Sequence, residues 1–335
     1  LEQLPAELFG HLLNQVLERL AARPCSSGPF NSLWQSVESH FSAAYIADGS
    51  TLEALQKQLP KDPAEKKTNL SILGGKMMML VHAATHVPVK AWYTSASGTN
   101  DKHWCDEIAK MLPTRGLIIF DLGFFSFEFF DKFTSEDKFF VTRLREKTSF
   151  DIQQELGRSE HWTDQIITLG RYRSNPCKSP VRLVGVQWGT QWYYYLTNVL
   201  DPNVLSARQV CDLYRQRWRI EDAFLLTKRL LGLSYLWVGG KNGIETQIYA
   251  TWILYAVLIH LSHQVAKLLA VPQDRISIEM VFRGLYHVSR AQQRGVADDA
   301  IKYLVENAKL LAIVKSVRKR DRLRDQQTKV IWGHP

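Results

Sequence analysis

Cysteine is scarce in this chain and poorly placed for pairing. Cys25, Cys105, Cys177 and Cys211 are the only four in 335 residues, and no two form a CxxC pair. That excludes a disulfide framework and fits a reducing cytoplasm. A secretory signal pattern and an internal repeat are also missing. The glycines of "GGKNG" (Gly239–Gly243) make no P-loop and read as a helix start, with Asn242 and Glu245 spaced as a capping box. His82 and His86 form "HAATH", which lacks the glutamate of a zinc-protease helix, so no zinc is expected there. Long uncharged runs are rare. The longest, "TQIYATWILYAVLIHLSHQVA" from Thr246 to Ala266, carries two histidines, a serine and two glutamines. It reads as a buried core helix rather than a membrane span.

Positive charge and apolar residues are plentiful. Lys and Arg outnumber Asp and Glu by 42 to 33, a net charge of +9 with a pI near 9.3, and 45% of residues are hydrophobic. The first balance points to a polyanion, nucleic acid above all. The second is enough for a sizeable core.

Periodicity divides the chain. "LPAELFGHLLNQVLERLAAR" has helical apolar spacing. "AAYIADGST" reads as a strand running into a turn at Asp48–Gly49. "LGGKMMMLVHAATHVPVKAWYTSA" reads as two strands about a turn at His86–Pro88, and "DKHWCDEIAKML" as a helix with Asp101 near its start. "RGLIIFDLGFF" is a buried strand ending at Asp121, followed by the short helix "FEFFDKF" and the strand "KFFVTRLRE". Then "DQIITLGRYRS", "PVRLVGVQWGT" and "QWYYYLTNVL" are β-rich between Gly, Pro and Asn. From Ser206 onward the chain reads as helical, ending in the basic "VKSVRKRDRLRDQQTK".

One helical stretch, "DLYRQRWRIEDAFLLTKRLL" from Asp212 to Leu231, carries an unusual row. Tyr214, Arg217, Glu221 and Lys228 sit at offsets 0, 3, 7 and 14. At about 100° per residue they share a stripe about 60° wide. Leu213, Ile220, Phe224 and Leu231 form an apolar stripe beside it. The row therefore borders the buried face, where a cleft would open. Intrahelical pairing of Arg217 with Glu221 is the simpler account. Asp48, Asp121 and Glu221 are three carboxylates at two strand ends and one helix, the donor pattern of a two-metal phosphoryl-transfer site.

Here the sequence resembles a known family. Tyr214-x2-Arg217-x3-Glu221-x6-Lys228 resembles the Tyr-Arg-Glu-Lys signature of DDE transposases of bacterial insertion sequences, in the group named for insertion sequence four. "ADGST" and "GLIIFDLGFFSFEFFDKF…FFVTRLRE" resemble the regions of the two aspartates, and the likeness runs from about Asp48 to His263. Leu122 departs from it, standing where relatives often carry a basic residue.

The resemblance implies an α/β fold, with a ribonuclease H-like mixed-sheet core, an inserted β-rich subdomain and helical N- and C-terminal regions. The expected divisions are 1–42 (a helical region, a reduced or truncated end-binding part), 43–147 (core), 148–205 (β-insertion), 206–270 (core completed by the glutamate helix) and 271–335 (basic helical region). It implies Asp48, Asp121 and Glu221 as catalytic ligands of Mg2+, with Mn2+ substituting. It implies Tyr214, Arg217 and Lys228 on DNA phosphates, with Trp218 packing at the same place. Trp188 and Trp192 are candidates to stack on a flipped base, against the simpler role of packing strands. The implied partners are transposon inverted-repeat ends, target DNA and a second copy in a synaptic dimer, with no membrane, in a bacterial cytoplasm. Two rivals stand beside transposition: a non-catalytic DNA-binding remnant or inhibitor, and a metal nuclease without strand transfer.

Overall fold

The structure is a computed structural model. It describes residues 4–21, 32–52, 75–237, 240–316 and 319–333. Parts of the expected N- and C-terminal regions, including residues 22–31, therefore lie outside the described residues.

Two helices, α1 (Ala6–Ala21) and α2 (Ser32–His40), lead into the first strands, β1 (Ala44–Leu52), β2 (Gly75–His82) and β3 (Pro88–Thr94). After α3 (Cys105–Met111) come β4 (Leu117–Phe120), α4 (Phe127–Ser135) and β5 (Phe139–Arg143). β1, β2 and β3 pair antiparallel, while β4 runs parallel to both β1 and β5. Parallel strands are covered on both faces and so read as continuous apolar runs. All four residues of β4, "LIIF", are buried.

Four further strands continue the sheet: β6 (Phe150–Arg158), β7 (Trp162–Leu169), β8 (Val181–Trp188) and β9 (Gln191–Thr197). Residues 148–205, expected as a β-insertion, join the same sheet because β9 pairs antiparallel with β5. The result is one mixed sheet of nine strands in the order β3-β2-β1-β4-β5-β9-β8-β7-β6. Its first five strands, an antiparallel meander followed by two parallel strands, are the ribonuclease H-like arrangement. β6 escaped the sequence reading. It is an edge strand whose middle, "QQE" (Gln153–Glu155), is exposed and polar, so it has no alternating apolar signal.

The helical remainder comprises α5 (Ala207–Gln216), α6 (Trp218–Arg229), α7 (Lys241–Leu268), α8 (Ile278–Gln293), α9 (Ala300–Glu306) and α10 (Lys319–Trp332). One sheet face (Ile46, Met77, Met79, Ile119, Val141) packs against residues of α5, α6 and α7. The other (Ala47, Met78, Ile118, Phe120, Phe140) packs under α3 and α4. Alternation along each strand assigns successive residues to opposite helix layers. On the second face Phe120 meets Phe124, Phe129, Phe130, Phe133 and Phe140, with Phe130 and Phe140 stacked at 4.5 Å. Such aromatic contacts each add about 0.5–1.5 kcal/mol beyond area burial.

α7 is long and apolar enough by length and composition to cross a membrane. In this fold its Trp252, Tyr255 and Ile259 are in the core, with Trp252 Nε1 donating to Met77 Sδ at 3.0 Å. The expected capping box does not form there. Gly240 is the N-cap, and Asn242, inside the first turn, accepts from Ala6 N at 2.8 Å and donates to the Leu4 carbonyl. Docking of α1 thus takes the side chain that local capping would have used.

His82, the last residue of β2, and His86, in the turn to β3, lie close to His263 of α7. Among the described residues no group of three or more His, Cys, Asp or Glu side chains is placed to hold a metal ion. His263 Nε2 lies 2.9 Å from the Thr85 carbonyl, which only accepts, so that nitrogen is the donor of a neutral ring. Burial lowers the pKa of all three, and the neighbouring charges of Arg219, His263 and His82 help push His86 down to about 3. An unfolded histidine titrates near 6.5. The folded state therefore binds fewer protons below that pH. The stabilisation is complete above about pH 6.5 and is lost as pH falls toward about 3. Urea midpoints should accordingly drop between pH 6.5 and 5, and His86→Gln should flatten that drop.

Candidate active site

Register places the first two carboxylates side by side. Ala47 of β1 pairs with Phe120, the last residue of β4, so Asp48 and Asp121 follow together. The expected turn at Asp48–Gly49 is absent. β1 runs on to Leu52 against β2, and Asp48 lies within the strand where its neighbour β4 has already ended. Where the pairing with β4 stops, Asp48 and Gly49 line a cleft.

Each aspartate is held by a nearby backbone amide. Gly49 N donates to Asp48 Oδ1 at 2.8 Å, and Gly123 N donates to Asp121 Oδ1 at 2.7 Å, capping the 3-10 turn Leu122–Phe124.

The third carboxylate comes from the helix stretch, which is not one continuous helix. α5 ends at Gln216 and α6 begins at Trp218, with Arg217 between them. Arg217 N bonds the Tyr214 carbonyl and Ile220 N bonds the Arg217 carbonyl, each at 3.1 Å, so the chain tightens by one i,i+3 step. The apolar stripe still faces inward, with Leu213, Ile220 and Phe224 buried.

Asp48, Asp121, Arg217, Glu221 and Lys228 line one open cleft of about 370 Å3, together with Gly49, Ser50, Phe224 and Leu225. The buried Arg217 guanidinium donates to Asp48 Oδ2 at 2.7 Å and to Glu221 Oε1 at 3.0 Å. Burial pushes Asp48 up to about 7 against the opposing pull of Arg217, with Asp121 and Glu221 raising it further. Lys228 Nζ reaches the Thr51 carbonyl at 2.8 Å.

Two signature-region residues are outside the cleft lining. Tyr214 is buried behind Arg217, its ring 5.9 Å from the guanidinium carbon and 5.1 Å from the Tyr195 ring. Trp218 is 59% exposed, with the Arg217 guanidinium carbon 5.1 Å from its ring centre. Of the strand tryptophans, Trp188 packs on Arg215 at 4.6 Å, and Trp192 stacks on Tyr194 at the surface.

All three carboxylates offer oxygen, the donor chemistry of a hard divalent cation, but as they stand they are not gathered into a group that would hold one, and Arg217 is paired with two of them. All three line one cleft. No sequence signal marked Lys76 and Asp101, which lie beside this cleft. They are separated along the chain, and only the fold joins them.

A ribonuclease H-like sheet brings Asp48, Asp121 and Glu221 to one cleft, beside Arg217 and Lys228. Residues 39–257, more than half of the chain and all of β1 through most of α7, match the transposase DDE domain, and the chain belongs to that family. Over 170 residues it is 25% identical to the probable transposase for insertion sequence element IS5377 from Geobacillus stearothermophilus. That match covers 49% of this chain and 43% of that protein, so the chain spans less than half the length of the curated relative. A cryo-EM structure of the piggyBac transposase synaptic complex with hairpin DNA aligns with a TM-score of 0.44 and 15% identity, over 82% of this chain and 58% of that one.

Proposed function

We propose that this chain cuts the inverted-repeat ends of an insertion sequence and joins their 3′-hydroxyls to target DNA. The observation that carries it is the convergence of Asp48, Asp121 and Glu221 with Arg217 and Lys228 in one cleft. The Tyr214, Arg217, Glu221 and Lys228 spacing further supports the group named for insertion sequence four.

Asp48, Asp121 and Glu221 would hold Mg2+, with Mn2+ able to substitute. When bound, the ions supply an activated attacking oxygen and stabilise the leaving one. The protein's own groups do the rest. Arg217 offers a planar fork to a phosphate once it releases one of its carboxylate partners, and Lys228 offers a mobile point charge. Tyr214 behind the guanidinium and Trp218 beside it set its direction at the DNA. Attack in line on the phosphorus, first by water and then by a 3′-hydroxyl, spreads charge over oxygens that these cations face. Acting on two ends and a target calls for two copies in the active complex, working in the bacterial cytoplasm.

The test is cleavage of a labelled duplex carrying the element's terminal repeat, with Mg2+ or with EDTA. Nicking at the repeat end and joining to a second duplex, both abolished by EDTA, is the expected result. Binding without cutting would make the chain a DNA-binding remnant. Cutting without joining would make it a nuclease. Binding should also weaken with salt. Six phosphate contacts would lose roughly a thousandfold in affinity between about 50 and 200 mM, and a flat response would exclude a phosphate-tracking surface.

A further inference from the structure

Asp101 opens the 3-10 turn Asp101–Trp104 and is paired with Lys76 of β2 at 2.6 Å. Lys76 Nζ also donates to the Thr99 carbonyl at 2.8 Å. Both side chains are largely buried, at 14% and 18% exposure for Lys76 and Asp101. The carboxylate occupies a specific place. A Cβ added to Gly49 would stand 2.5 Å from Asp101 Oδ1, and one added to Gly123 would collide with Asp101 Oδ2. One carboxylate therefore lies flat against two glycines. Each of those glycines donates its amide to a cleft aspartate, Gly49 to Asp48 and Gly123 to Asp121. Gly49 points to the opposite sheet face from Asp48, so Asp101 backs the cleft without lining it.

We propose that Asp101, anchored by Lys76, is a positioning residue that locks the Gly49 and Gly123 backbones and so fixes the spacing of Asp48 and Asp121. Lys76 has a second part in this. It neutralises a carboxylate that would otherwise add like charge beside Asp121. Glycine is required at both positions because a side chain there would displace the Asp101 oxygens. The functional side of this inference rests on the metal-site reading above, whereas the lock itself does not.

The experiment compares wild type, Asp101→Ala, Asp101→Asn and Lys76→Met by two readouts. The first is NMR-detected hydrogen exchange at the Gly49 and Gly123 amides of the metal-free protein. The second is Mn2+ affinity from the EPR signal of free Mn2+. Groups that orient metal ligands from behind typically change affinity about 10–100-fold. Asp101→Ala is expected to speed exchange at both amides and weaken Mn2+ binding at least about tenfold. Asp101→Asn keeps the shape and should recover much of the protection. Unchanged exchange in Asp101→Ala would overturn the lock. Faster exchange with unaltered Mn2+ affinity would reduce Asp101 to a structural part and overturn the positioning role. If wild type itself takes up no Mn2+, the metal-site reading and the positioning role fail together, while the exchange data still decide whether the lock exists.

Discussion

Glu221→Gln is expected to leave DNA binding near wild type and to slow strand cleavage by at least about a thousandfold, or about 4 kcal/mol of transition-state stabilisation. The substitution keeps shape and volume and removes one negative charge. Glu221 is 43% exposed while its partner Arg217 is 8% exposed, so the pair sits at the cleft mouth. Water reaches the Glu221 end of the pair, which limits what the pair contributes to stability. Arg217 also keeps Asp48 at 2.7 Å. The variant should therefore fold with an unaltered urea midpoint, which separates lost chemistry from lost structure. Loss of the charge should also weaken Mn2+ uptake in the metal-only measurement. Cleavage at the wild-type rate by a folded Glu221→Gln would remove Glu221 from the machinery. It would leave the Arg217–Glu221 contact as an ordinary i,i+4 pair.

That variant was choosable from sequence because the row in Asp212–Leu231 is local. Helical period alone groups Arg217, Glu221 and Lys228, and the cleft lining includes all three. The row also implied what the fold shows on its buried side, since Leu213, Ile220 and Phe224 are interior. Local pattern misled where tertiary contacts prevail. Asp48–Gly49 has turn chemistry, yet β2 carries β1 four residues further, through the pairing of Leu52 with Gly75. Asn242 has capping chemistry, yet its amide is spent on α1. The break at Arg217 also left no mark, because no proline or glycine punctuates "YRQRWRIE". Least legible of all was the Lys76–Asp101 pair. Its members are 25 residues apart in sequence (101 − 76), on a strand and a turn that only the sheet brings together.

Arg182→Ala is expected to destabilise the protein by about 3–5 kcal/mol, a large part of the roughly 5–15 kcal/mol that holds a typical domain together. Arg182 is fully buried on β8, facing Asp164 of β7, itself 4% exposed. The pairing is bidentate: Nε to Oδ1 at 2.7 Å and Nη2 to Oδ2 at 2.6 Å. Nη1 donates to the Leu205 carbonyl at 2.5 Å and reaches that of Val199 at 3.4 Å. One guanidinium thus ties the sheet extension to the loop that enters α5, just before the Ser206–Gln209 capping box. Truncation strands a buried carboxylate and leaves carbonyls with unmet bonds, and each is costly. The double variant Arg182→Met, Asp164→Leu separates these costs. Removing both charges should recover the share due to unpaired Asp164, while the Val199 and Leu205 carbonyls remain short of a donor. Urea unfolding of the three proteins measures this directly. Recovery of most of the loss in the double variant assigns it to the stranded charge. Equal loss in single and double variants assigns it to the loop carbonyls, and hence to the seating of the helix that leads to Arg217 and Glu221. An unchanged midpoint in Arg182→Ala would show that the buried pair contributes nothing net to the fold.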